Sequence, residues 1–168
     1  MRRTDSPLLL GAIAGFVGTA AMTAAMSRLH RALPRDERYP LPPRELVEPL
    51  APTAPDGTVK DLALAAHFGF GAGAGALIAA AAPRLGPAGW SGAGVGVWAL
   101  SYLGWAPLLM GMEWPHRHPA RRNALMIGVH LVWGAVAGLT LQELSHARDT
   151  MLAVGPLKDR RQAGRRNR

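Results

Sequence analysis

The chain has 168 residues, 49% of them hydrophobic, no cysteine and a formal net charge of +8. Its 30 charged side chains leave four windows without any charge: residues 6–27, 62–83, 85–112 and 123–142. Each window is as long as the roughly 20 residues that a helix needs to cross a bilayer. A helix of a soluble protein would carry charges on its solvent-exposed face. The pattern excludes a soluble enzyme domain, a disulfide-linked secreted scaffold and a cysteine-ligated zinc module.

The first predicted helix covers residues 7–29. Asp5 is a good N-cap and Pro7 suits the first helical turn. Arg2 and the small residues 18–20 also fit a cleaved signal peptide. Because the apolar run is longer than a signal peptide's core, we predict a retained transmembrane helix.

A polar loop is predicted over residues 33–60, since it holds seven of the fourteen prolines and cannot be one continuous helix. Residues 43–50 are either a short interfacial helix or part of a solvated loop, and the sequence leaves both open. In the helical alternative Leu46, Val47 and Leu50 would face the membrane, with Glu45 and Glu48 on the polar side.

Three further helices are predicted over residues 62–82, 88–112 and 123–144. Pro107 should kink the third, which membrane helices tolerate when neighbours satisfy the freed carbonyl. We therefore expect an all-α, polytopic membrane protein with four transmembrane helices in a domain of residues 1–148. The basic tail, residues 149–168, is predicted to be disordered because it has no apolar pattern.

Every predicted span carries small residues at four-residue spacing, which lets helix backbones approach closely in a bilayer. The predicted packing positions are Gly11, Gly15, Gly71, Gly75, Gly92, Gly96, Gly134 and Gly138. The pattern His-x3-Gly-x3-Gly occurs twice, from His67 and from His130, 63 residues apart. This repeat raises the hypothesis of two related helical hairpins.

His67 and His130 are the main candidates for chemistry, because both are ionisable groups inside charge-free windows. Each is expected roughly 8–10 Å below the membrane face that bears the first and third loops. One interpretation is a neutral, hydrogen-bonded histidine in helix packing. The others are proton or ion handling, with a response near pH 5–7 (roughly the normal histidine range), and ligation of a b-type haem by both residues.

The third loop offers a second candidate site, in which carboxylates and imidazoles could bind zinc, iron or nickel. Its predicted members are Glu113, His116 and His118, with Glu45 and Glu48 from the first loop nearby. The alternative is a wet interfacial loop anchored by Trp114. No nucleophile motif or cysteine is present, so we predict no enzyme and no cofactor, with haem b as the alternative.

The expected partner is the lipid bilayer, with a small-molecule or ion ligand that the sequence does not name. A nucleic-acid partner is not expected, because the basic tail lacks aromatic or groove-reading residues. The sequence leaves a homo-oligomer open. The nearly all-basic tail favours cytoplasmic termini.

Several short segments resemble the YagU-like family of bacterial inner-membrane proteins. They are Pro40–Arg44, Trp105–Gly111 and His130–Trp133, with Glu143 downstream. The similarity extends loosely over residues 8–144, with a shorter first loop here. The resemblance implies a small multi-pass inner-membrane protein with no established reaction. We expect small-solute or proton transport, or pH-linked membrane physiology, with a structural module lacking any site as the alternative.

Overall fold

The computed structural model describes residues 7–38 and 41–152, and over these residues the chain is helical, without a strand. The helices are α1 (Pro7–Ala32), α2 (Pro42–Val47), α3 (Asp56–Ala81), α4 (Pro87–Leu100), α5 (Ala106–Met110) and α6 (Ala120–Thr150). Among the described residues, four segments are long and apolar enough to cross a membrane: α1, α3, the stretch Pro87–Met110 and α6. The predicted all-α fold with four membrane-length helices is therefore confirmed. The predicted tail falls largely outside the described residues, and α6 continues to Thr150.

The third membrane-length segment is interrupted between α4 and α5. A widened π-helical turn covers Ser101–Trp105, and Gly104 within it has non-helical backbone angles. Pro107 follows at the start of α5, where its ring would clash with the carbonyl group four residues earlier in a regular helix. The interruption thus lies at the predicted kink. Gly111 ends α5 with a φ of 67°, in the left-handed region that glycine adopts without strain.

The four long segments form a row in the order α3, α1, α6, α4, because α1 packs against α3 and α6 while α6 also packs against α4. Glycines make these contacts close. A Cβ atom on Gly11 would lie 2.5 Å from the carbonyl oxygen of Gly75, and one on Gly15 would lie 3.0 Å from the Gly75 Cα. Gly71 faces the Thr19 side chain. Large apolar side chains such as Leu77 and Leu108 are exposed and face outward.

Contact between α4 and α6 corrects part of the predicted glycine pattern. Gly134 of α6 lies against the backbone of Trp90, and Gly138 lies against the Trp90 side chain. On α4, a Cβ on Gly92 or Gly96 would meet no atom within 4 Å, whereas one on Gly94 would meet the His130 carbonyl. The contact face of α4 is thus offset by two residues, because buried Trp90 fixes its rotation.

We call the end of the bundle that carries α2 and residues 111–119 the loop end, and the opposite end, with residues 82–86, the turn end. The helical alternative for residues 43–50 is the one observed, but its predicted orientation is wrong. Val47 is buried against Val59 and Ala63 of α3, and Leu46 packs toward buried Tyr102. The short helix α2 therefore covers the bundle instead of turning its apolar face to lipid.

Candidate functional site

The row of helices is curved, and a cavity of about 330 Å³ lies between its two ends, α3 and the third membrane-length segment. Helices α1 and α6 form its back wall, α2 lies across its loop end, and Phe70 and Trp105 approach across it with ring centroids 6.0 Å apart. No Asp, Glu, Lys or Arg is among the described residues that line it. Its size falls at the lower end of the range for small-ligand pockets.

Both candidate histidines line this one cavity. In His130, Nδ1 lies 2.7 Å from the carbonyl oxygen of Met126, which can only accept, so Nδ1 carries the proton and donates it. The Nε2 atom of His130 is then left with a free lone pair. In His67, Nε2 is buried and has no hydrogen-bond partner among the described residues. The cavity thus contains two imidazoles with nitrogen atoms available to a ligand.

Two hydroxyl groups that line the cavity, those of Thr19 and Ser101, form hydrogen bonds within the protein. Thr19 Oγ1 donates to the Gly15 carbonyl oxygen at 2.8 Å and accepts from Trp133 Nε1 at 3.1 Å. Ser101 Oγ accepts from Trp105 Nε1 at 3.2 Å. These bonds fix the walls. The indole Nε1 of Trp98 also lines the cavity and is buried without a hydrogen-bond partner among the described residues, so a ligand can form polar contacts with it as well as with the imidazoles.

An ion pair fastens α2 across the loop end. Arg122 of α6 is only 3% exposed, and its Nη2 lies 2.8 Å from both carboxylate oxygens of Glu45. The neighbouring Arg44 lies 2.9 Å from Asp56 at the start of α3 and also pairs with Glu48. We call the Arg122–Glu45 pair the latch. Two adjacent residues of α2 thus bind it to α6 and to α3, two of the helices that line the cavity.

The predicted metal site of the third loop is corrected by the structure. Glu113 pairs with Arg117 at 3.5 Å, His116 is exposed, and His118 faces Arg122 instead. Glu45 and Glu48 form ion pairs with arginines. Within residues 7–38 and 41–152, no three His, Asp or Glu side chains group in a way that could hold a metal ion. The carboxylates do not form a metal site because each of them pairs with a nearby arginine: Arg117, Arg122 or Arg44.

His118 lies beside the latch and is the titratable group most closely linked to it. Its Nδ1 lies 3.4 Å from Arg122 Nη1, and its ring stands 5.9 Å from that of Tyr102. Burial, followed by the positive charge of Arg122, holds the pKa of His118 below its usual value, against weaker opposite effects of Glu45 and Glu113. Protonating His118 would place two cations side by side.

We expect acid to weaken the loop end through His118. A pKa that is lower in the folded than in the unfolded chain gives stability that is complete above the unfolded value, about 6.5, and lost as the pH falls through the folded value. The melting temperature of the purified protein should therefore fall between pH 7.5 and pH 5. His118→Gln should flatten that dependence, whereas His116→Gln, at an exposed position two residues away, should retain it. Equal slopes for the two variants would contradict this role of His118.

The helices, the row and the cavity define a multi-pass membrane protein with a ligand-sized cavity inside its spanning segments. Comparison of the chain with protein-family models, with curated proteins and with solved structures gave no match. Two features of the site have no counterpart in the sequence-based prediction. The latch was missed because Glu45 and Arg122 are 77 residues apart. The methionines of the cavity come from three different segments, so no local spacing predicts that they line one site.

Proposed function

We propose that this protein is a membrane protein that binds a small solute or a proton at His67 and His130, in support of transport or pH-linked membrane physiology. One observation carries the proposal: both imidazoles line the same cavity inside the membrane-length helices. Placing an imidazole in a bilayer is costly unless it serves a partner or a ligand. Nothing in the proposal requires an enzymatic reaction.

We further propose the bacterial inner membrane as the location, with cytoplasmic termini, in keeping with the resemblance to the YagU-like family and with the basic tail. In this orientation the loop end, with α2 and the latch, faces away from the cytoplasm. A ligand would then reach the histidines from the outer side of the membrane, past α2.

Cysteine labelling tests this access, because the natural chain has no cysteine to give a background. Ser101 lines the cavity, and Ser101→Cys should react with a charged, membrane-impermeant maleimide added from the loop-end side. Gly69→Cys is the matched control, since Gly69 is exposed on α3 outside the cavity and has open space around it. A thiol at position 69 should face lipid and stay unlabelled.

Labelling of Ser101→Cys at the rate of Gly69→Cys would contradict a water-accessible cavity. Labelling of Ser101→Cys from the turn end alone would contradict access past α2. Exposed Thr53→Cys, in the loop after α2, reports which side of the membrane the reagent reached.

The haem hypothesis for the same two histidines stays a prediction, and a Soret band in the absorption spectrum of the purified protein is its test.

A further inference from the structure

Methionines are concentrated around the cavity. Five of the seven methionines in the chain line it: Met22, Met26, Met110, Met112 and Met126. Leucine has similar size and hydrophobicity, yet of the 23 leucines in the chain only Leu46 and Leu50 are among the lining residues that the structure describes. General burial of apolar side chains would favour both residue types alike, so the excess of methionine calls for a property that leucine lacks. That property is the thioether sulfur, a soft and polarisable ligand atom.

The methionines and histidines lie at matching depths. From the loop end, Met26 of α1 and Met126 of α6 are each six residues inside their helix, about 9 Å deep at 1.5 Å per residue. Met22 and His130 are each ten residues inside, about 15 Å deep, and His67 lies at a similar depth on α3. Met110 and Met112 lie at the loop end itself. Soft ligand atoms therefore follow one another from the rim of the cavity to the histidines.

We propose that the cavity binds a soft monovalent metal ion, Cu(I), through thioether sulfurs and the imidazole nitrogens of His67 and His130. This proposal rests on the proposed function and names the ligand class of the same site. Thioether sulfurs together with unprotonated imidazole nitrogens are a neutral ligand set that suits Cu(I). The hydrogen bond from His130 Nδ1 to the Met126 carbonyl oxygen leaves Nε2 free and orients the ring, as backbone carbonyl groups do for metal-binding histidines.

Charge selects against the common divalent ions. The cost of moving an ion from water into a medium of low dielectric constant rises with the square of its charge, and the described lining supplies no carboxylate to neutralise it. A divalent ion would therefore meet about four times the desolvation cost of a monovalent one, with no compensating anion. Hard monovalent cations prefer oxygen ligands, and the described lining side chains offer three hydroxyls, on Thr19, Ser101 and Tyr102, against five thioethers and two imidazoles.

Binding of Cu(I) by the purified full-length chain tests the proposal. The protein, in detergent and under anaerobic, reducing conditions, is titrated against the Cu(I)-bicinchoninate complex, whose colour is lost as the protein removes copper. We expect saturable binding of Cu(I) that excess Zn²⁺ does not displace. The double variant Met26→Leu/Met126→Leu preserves size and hydrophobicity, and it should lower the Cu(I) affinity at least tenfold. Met151→Leu is the matched control, because Met151 is 81% exposed and outside the cavity, and it should bind as the natural chain does.

Copper X-ray absorption of the natural protein keeps the proposal testable if the double variant fails to fold. It should show both sulfur and nitrogen neighbours, and a spectrum with only nitrogen or oxygen neighbours would overturn the proposal. Absence of Cu(I) binding, or equal affinity in the double variant and Met151→Leu, would also overturn it. The labelling of Ser101→Cys distinguishes failure of the copper proposal from failure of the proposed function. A labelled cavity without copper binding leaves the proposed function standing, whereas an unlabelled cavity without copper binding removes both.

Discussion

Replacing Arg122 with alanine should be the most damaging single change at the loop end. The substitution leaves the partly buried Glu45 carboxylate of α2 without the guanidinium that bonds both of its oxygens. Removing one partner of a buried ion pair typically costs about 3–5 kcal/mol. For a chain of this size that corresponds to a fall of about 10 °C in the melting temperature of the purified protein.

Arg121→Ala is the matched control, since the neighbouring side chain is 69% exposed and its pair with Glu37 is long, at 3.5 Å. Its melting temperature should stay within about 2 °C of the natural protein's. The double variant Arg122→Met/Glu45→Met should recover much of the loss, because removing both charges leaves no unpaired ion. Arg122→Ala should also speed the labelling of Ser101→Cys as α2 loosens. If Arg121→Ala lowered the melting temperature as much as Arg122→Ala, the latch would not be what stabilises the loop end.

Gly134→Leu should prevent normal packing of α4 on α6. A Cβ at this position would collide with the Trp90 carbonyl oxygen and lie 2.7 Å from the Ser91 Cα. Both obstacles are backbone atoms, so the helices must separate and lose the close dispersion contacts that hold membrane helices together. We expect a destabilisation above about 3 kcal/mol, measured as a lower melting temperature and as aggregation on size-exclusion chromatography.

Gly128→Leu on the same helix separates packing from helix propensity. A Cβ on Gly128 would meet nothing within 4 Å, and leucine is the better helix former by about 0.8 kcal/mol. The control should therefore be neutral or slightly stabilising. The pair Gly94→Leu and Gly92→Leu should repeat the contrast on α4, where only Gly94 lies at a contact. Equal behaviour within each pair would contradict the packing described for this row of helices.

The long helices could be predicted from the sequence because the exclusion of charge from a bilayer acts on each segment separately. Helix rotation was harder, since a stripe of glycines shows that a close contact exists but not which face makes it. On α4, glycines occur at positions 92, 94 and 96, and the bulk of Trp90 decides among them. Rotation depends on a partner helix, and local spacing carries no record of that partner.

The site could be predicted only in part for the same reason. His67 and His130 stand out because their segments are otherwise apolar, and the structure brings them to one cavity. Arg122 looks like an ordinary charge before a transmembrane helix, yet it is almost fully buried, because Glu45 from a distant loop compensates it. The predicted metal ligands are the opposite case. Their residue types suit a metal ion, but Glu113 and Glu45 form ion pairs with arginines instead. Long-range pairing decides both cases.

The outward placement of large apolar side chains has a consequence for how such a sequence changes with time. Lipid chains accommodate any apolar shape, so exchanges among leucine, valine and phenylalanine at exposed positions such as Leu77 should be almost neutral. Glycines at the helix contacts admit no such exchange, because backbone atoms occupy the space beside them. A lineage of these proteins would drift apart in most of its residues while keeping the glycine spacing and the latch. Overall sequence identity would then understate how closely its members share one fold.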